Sequence, residues 1–328
     1  MTSSLRGTFL RLFISFGAIG AIVYFMRDKI GESWVILRTD VLWSWFFIGL
    51  ATYLVANLIL AGRLLVVFKA HKIHLQYGQA VYLAFLGLFF NLFLPSAIGG
   101  DVAKIVFAAK YTGKKIESAS AIFQDRLIGF VAIMAMAIIA LAFVSREIAD
   151  ERVHKVVYLF VAIMMGTVLF FMSKRFAGFF SFLLVLIPSA SLKTKLGEIY
   201  HAVYDFKNHP ILICNSLVLA FLGQICFIVV HYFMARSLGI QMSVVLFFLI
   251  VPVVAIMSMM PSLGGLGVRE AGIIFFLKHY MPPERALVLS MLLFLIIYGV
   301  SLAAGIVYAF RGGLKPQILS DLKTAGSA

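Results

Sequence analysis

The sequence predicts an all-α, polytopic membrane protein, and three observations carry that prediction. Of the 328 residues, 62% are hydrophobic and 13% charged, against roughly 25% charged in an ordinary globular domain. Mean hydropathy is +1.04. Apolar runs recur along the whole chain, and a helix that satisfies its own backbone amides is the economical way to place such a run in hydrocarbon. About 20 mostly apolar residues cross the bilayer core. The stretches 9–26, 43–66, 119–143, 156–173, 211–234 and 285–310 meet that length, giving about six spanning helices.

Two further apolar runs, 77–94 and 244–260, end differently. The first leads into NLFLPSAIGGDVAK (91–104) and the second into PSLGGLGVRE (261–270). Proline removes a backbone donor and disfavours helix in the residue before it, while paired glycines adopt backbone conformations closed to other residues. Pro95, Gly99 and Gly100 in one motif, and Pro261, Gly264, Gly265 and Gly267 in the other, therefore read as helix breaks. Irregular backbone at membrane depth survives only inside protein or along a wet cavity. The expectation is two re-entrant, broken-helix hairpins, with short helices resuming at Asp101–Ala109 and Val268–Lys278.

Charge placement supports this topology. With the N-terminus inside and both broken runs returning to the side they entered from, the inner segments hold 17 basic residues against four acidic ones. Inner loops of membrane proteins carry that bias. The net charge of +14 is then a matter of topology and anionic lipid, not of nucleic acid. If the broken runs crossed instead, the lysine-rich 104–115 segment would face outward. Both termini are expected in the cytoplasm of a bacterial cell, with the chain in its cytoplasmic (inner) membrane and the first helix, preceded by Arg6 and Arg11, retained as an anchor.

The same topology exposes an inverted repeat within a single transmembrane domain, 1–328. Half 1 (1–150) and half 2 (151–328) each run helix, helix, broken run, helix, in opposite orientations, an arrangement common in transporters. Each motif has Pro-Ser, then paired glycines, then a cation four residues after the second glycine, Lys104 or Arg269. An acid-Arg pair follows in both halves, Asp125-Arg126 and Glu284-Arg285.

The residues predicted to bind substrate are Asp101, Lys104, Asp125, Arg126, Arg269 and Glu270. A helix start offers free N–H groups and the positive end of a dipole, which suits phosphate or carboxylate. Charge about six residues into an apolar helix, as at Asp125 and Arg126, costs a few kcal/mol unless paired or hydrated. Pairing of Asp125 with Lys104, of Arg126 with Asp101 and of Arg269 with Glu270 is the structural alternative. Arg63 and Glu284 fall near interfaces, where snorkelling accounts for them as well as function does. Asn57, Asn91, Gln124 and Gln224 suit either a cavity wall or bonds between helices.

Other chemistry is excluded or bland. The seven histidines are scattered, without metal spacing, and no Walker motif is present, so neither metal nor cofactor is expected. Cys214 and Cys226 lie more than three helical turns apart and cannot pair. The longest connection, 174–209, carries Leu192, Leu196, Ile199, Val203 and Phe206 at helical spacing and reads as an interfacial amphipathic element.

With PSLGGLGVREA, NLFLPSAIGGDVAK and QDRLIGF (124–130) in view, nearly the whole chain resembles the lysylphosphatidylglycerol synthase transmembrane, or flippase-like, family. The resemblance implies a lipid translocase and not the aminoacyltransferase, which belongs to a soluble domain this sequence lacks. It implies an arginine where Lys104 stands; lysine keeps the charge and loses the bidentate fork. Implied substrates are aminoacylated phospholipids, polyprenyl-phosphate-linked lipids or other anionic lipids. The expected function is movement of a phosphate-containing lipid between leaflets through a polar cavity at the repeat interface, without chemical change. An intramembrane enzyme acting on lipid phosphate, or an accessory subunit of a lipid synthase or glycosyltransferase, are the alternatives. A synthase partner and a homo-oligomer remain open.

Overall fold

A computed structural model describes residues 31–93, 99–144, 209–258, 267–278 and 280–310, together with Tyr24, Tyr158, Leu159 and Ala162. The expected spans 9–26 and 156–173, the amphipathic element within 174–209, and Pro95, Pro261, Gly264 and Gly265 lie outside these residues. The described elements are all helical: α1 (31–39), α2 (Trp43–Ala70), α3 (Tyr77–Phe93), α4 (Gly99–Thr112), α5 (Lys115–Val144), α6 (Pro210–Ser237), α7 (Val244–Met257), α8 (Val268–Leu277) and α9 (Pro283–Phe310). Four of them, α2, α5, α6 and α9, are long and apolar enough to cross a membrane. The chain is a polytopic helical membrane protein.

Each long helix outruns the apolar stretch that predicts it. The stretch 43–66 becomes Trp43–Ala70, and 119–143 becomes Lys115–Val144. A helix of 28 residues is about 42 Å long, against about 30 Å of hydrocarbon, so its ends enter the headgroup layer. Lys69, Lys115 and Glu117 sit in those end turns, where water solvates them.

What is buried differs from a soluble core. The interior is rich in small residues, among them Ala56, Ala61, Ala121, Ala132 and Ala220, while Leu54, Val55, Ile139, Ile211 and Leu302 face outward. Lipid tails are as apolar as leucine, so helices associate through close packing of small residues.

The broken runs are short helices, and the helix that follows each lies back against its end. α3 has 17 residues and α7 has 14, about 26 and 21 Å, neither of which spans the core alone. Tyr77 donates its hydroxyl to the Leu58 carbonyl at 2.9 Å, so α3 starts alongside the middle of α2 and not at its end. After α3, the Gly100 N–H donates to Asn91 Oδ1 at 2.7 Å, and a Cβ at Gly100 would run into the Gly87 carbonyl oxygen. A chain continuing in one direction could not bring residue 100 back beside residue 87, so α4 begins against the last turns of α3. The second half repeats the geometry. A Cβ on Gly272 of α8 would stand 3.3 Å from Val254 Cγ2 and 3.7 Å from Met257 Sδ, at the end of α7. α7 also carries Pro252, which removes one of its hydrogen-bond donors.

Two compact units emerge. One comprises residues Met1–Asn57, Phe85–Ala103 and Ile225–Ala328; the other comprises Leu58–Ala84 and Lys104–Gln224. In the first, Phe89 and Phe90 of α3 pack on Tyr308 of α9, and Phe89 fills the space left by Gly305. Tyr53 of α2 meets Phe227 of α6 edge to face at 5.3 Å, and Trp45 stacks on Phe233 at 5.7 Å. In the second, Gly62 of α2 lies against Leu219 of α6 and Tyr77 of α3.

Candidate functional site

The first unit contains the described residues of both breaks, Gly99, Gly100 and Asp101 from one half and Gly267, Arg269 and Glu270 from the other, more than 160 positions apart in the chain. The remaining predicted binding residues, Lys104, Asp125 and Arg126, belong to the second unit.

At the second break, Gly267 has φ 83°, a left-handed conformation that an L side chain adopts only with strain. That conformation starts α8. Glu270, in its first turn, folds back so that Oε2 accepts the Gly267 N–H at 2.7 Å. Its other oxygen, Oε1, accepts from Arg269 Nε at 3.1 Å and from Arg269 Nη2. The pair is mostly buried, with side chains 12% and 13% exposed. The neutralising pair that sequence left as one of two readings for Arg269 and Glu270 is present.

Arg269 has more than one neighbour. Its guanidinium lies 5.9 Å from the centre of the Tyr298 ring on α9, and that ring stacks on Phe294 at 4.1 Å. His231 donates from Nδ1 to the Phe227 carbonyl at 2.9 Å, leaving Nε2 as its second polar atom. Tyr298 thus joins Arg269 from α9, and sequence reading missed it, as it missed Tyr53 and His231. Their only signal was a polar tip on an aromatic body within an apolar helix, which core packing explains equally well.

At the first break the helix start is again closed from within, by Asn91 Oδ1 on the Gly100 N–H. Asn91, for which a cavity wall and a bond between helices stood level, makes the bond. Asp101, in the first turn of α4, is 4% exposed. Asn57 donates to the Tyr53 carbonyl of its own helix at 2.8 Å.

In the second unit Asp125 takes Arg63 in a two-pronged ion pair, Nε to Oδ1 at 2.7 Å and Nη2 to Oδ2 at 2.8 Å. Both side chains are buried, 11% and 9% exposed. The partner of Asp125 is therefore Arg63 on α2, and Arg63 is not an interfacial snorkelling residue. Gly129, one turn along α5 from Asp125, leaves room for the guanidinium, with Nη1 3.3 Å from where a Cβ would be. Beside this pair, His71 Nε2 donates to Gln124 Oε1 at 2.6 Å. Burial pushes the His71 imidazole below its ordinary range, and His209 adds to that, against the opposing pull of the Gln124 bond and Glu117. Among the described residues no group of three or more His, Cys, Asp or Glu could hold a metal ion.

Chemically, the arrangement offers buried cations held by carboxylates at a helix start and between spans, with the Tyr298 phenol ring beside one of them. No curated protein matches this chain. The family described as the lysylphosphatidylglycerol synthase TM region matches residues 9–305, nearly the full length, and the chain belongs to that family of membrane proteins with a lipid-related role.

Proposed function

We propose that this protein moves a phosphate-bearing lipid between the leaflets of a bacterial cytoplasmic membrane, with both termini on the cytoplasmic side and without changing the lipid chemically. The observation that carries the reading is the Arg269–Glu270 pair at the start of α8, a buried charged group beside a helix break in a strongly apolar chain. Intramembrane ionisable residues of this kind mark substrate pathways. In this reading Arg269 takes the lipid phosphate and Glu270 tunes that cation or meets a cationic headgroup; Arg126 and Lys104 offer phosphate contacts of their own in the second unit, where Asp125 is held by Arg63. The inverted repeat, 1–150 against 151–328, fits alternate exposure of such a group to the two leaflets. The family adds a phospholipid to that picture, since its description names one.

The test is purified protein in liposomes with a fluorescent phospholipid whose outer-leaflet copies are bleached chemically. Wild type exchanges lipid between leaflets, and Arg269→Ala and Arg126→Ala slow the exchange at least tenfold. Both variants moving lipid like wild type would refute the site. A chemically altered lipid would favour the enzyme alternative, and neither transport nor product would favour the accessory role.

A further inference from the structure

A cluster of exposed lysines in the second unit has no part in that mechanism. Lys69 lies in the last turn of α2 and Lys72 directly after it, held in a left-handed backbone conformation with φ 57°. Lys110 lies in the last turn of α4, and Gly113, with φ 70°, turns the chain into Lys114 and Lys115 at the start of α5. Lys114 Nζ donates to the Lys72 carbonyl at 2.9 Å, tying the end of α2 to the start of α5. All five lysines are exposed, and Glu117 is the one acidic residue beside them in sequence, in the first turn of α5.

Helix ends account for part of this charge. Lys69 and Lys110 complement the negative C-terminal ends of α2 and α4. Lys114 spends one donor on the Lys72 carbonyl just past the end of α2, whereas Lys115 stands at the positive start of its helix and Lys72 lies beyond the end of α2, so neither is accounted for in this way. The Lys114–Lys72 bond and the adjacency of Lys115 to Lys114 gather these three residues in one place, and like charges so gathered repel unless an anion is present. The helices carrying the cluster, α2 and α5, are candidate spans of about 42 and 45 Å, so their ends reach past the hydrocarbon into the headgroup layer.

We propose that Lys72, Lys114 and Lys115 form a docking site for the phosphate of an anionic bilayer lipid, separate from the Arg269 site and independent of the transport reading. A basic residue near an anionic surface contributes about a fivefold preference, so three contribute on the order of 100-fold. The occupant is lipid and not free phosphate, because the cluster sits at the ends of spanning helices.

Full-length protein in micelles, given phosphatidylglycerol and phosphatidylcholine together, is read by native mass spectrometry. Wild type retains phosphatidylglycerol preferentially. Lys72→Gln/Lys114→Gln/Lys115→Gln loses that preference on the order of 100-fold, and Lys115→Gln alone about fivefold. Lys278→Gln, an exposed lysine in the other unit, leaves the preference unchanged. Ten millimolar-range inorganic phosphate does not displace the retained lipid. The proposal is overturned if wild type shows no preference, if the triple variant keeps it, if Lys278→Gln loses it equally, or if inorganic phosphate removes the lipid.

Discussion

Removing Asp125 tests whether the second unit is built around a buried charge pair. In Asp125→Ala, Arg63 loses both of its bonds, at 2.7 and 2.8 Å, while its guanidinium stays in a site 11% exposed. Stranding one member of a buried ion pair costs about 3–5 kcal/mol. Replacing both members with apolar residues of similar size is often neutral or stabilising, because the desolvation of two charges is then avoided. Asp125→Ala should therefore unfold markedly more readily in detergent, by thermal or denaturant titration followed through tryptophan fluorescence. Arg63→Met/Asp125→Leu should recover most of the loss. The coupling between the two positions, taken from the double-mutant cycle, is expected to exceed about 1 kcal/mol. A loss below about 1 kcal/mol in Asp125→Ala, or a double variant no better than the single one, would refute the structural role. Asp125 would then have to be kept for substrate.

Four further outcomes follow from the structure. His71 has its imidazole pKa lowered by burial, so the folded state prefers the neutral ring. Stability is complete above the unfolded value of about 6.5 and declines as pH falls below it; melting temperatures of wild type and His71→Asn, taken from pH 8 to 5, should converge at the acid end. Gly100→Ala puts a methyl group onto the Gly87 carbonyl oxygen and 2.7 Å from Asn91 Oδ1, and should cost about 1–3 kcal/mol. Gly78→Ala, with nothing within 4 Å, should be neutral or stabilising by up to about 1 kcal/mol. Gly267→Ala, at φ 83°, should cost about 1–2 kcal/mol in the same unfolding assay without touching the Arg269–Glu270 bonds.

Helix existence was legible because apolar length is a signal carried along the chain, and the described helices begin within a few residues of the runs that predict them. The resumption of helix after each motif was legible too, α4 starting at Gly99, so that Gly99 and Gly100 lie in its first turn, and α8 at Val268. Partners were not. Arg63 and Asp125 are 62 positions apart, and nothing in either helix pattern says that α2 faces α5 at that level. Reading Asp125 with Lys104 followed the proximity of the motifs in sequence, whereas packing is decided by which small residues let helices approach, as Gly129 does for Arg63. Gln124 was read as a cavity wall or a bond between helices, but its partner His71, just beyond a helix end, was hidden in the same way.

The two helix starts also show an asymmetry that the repeat in the sequence does not carry. Both are closed by oxygen from a nearby side chain, but Asn91 supplies a neutral amide to Gly100 whereas Glu270 supplies a full negative charge to Gly267 and Arg269 together. An anion arriving at α4 would compete with one uncharged acceptor. One arriving at α8 would meet a carboxylate already seated on the cation it needs. In the transport reading a phosphate at Arg269 competes with Glu270 for the guanidinium, and displacing Glu270 would weaken the bond that holds the first turn of α8. In that reading substrate arrival at the second break and the integrity of the first turn of α8 are coupled through the Glu270 carboxylate.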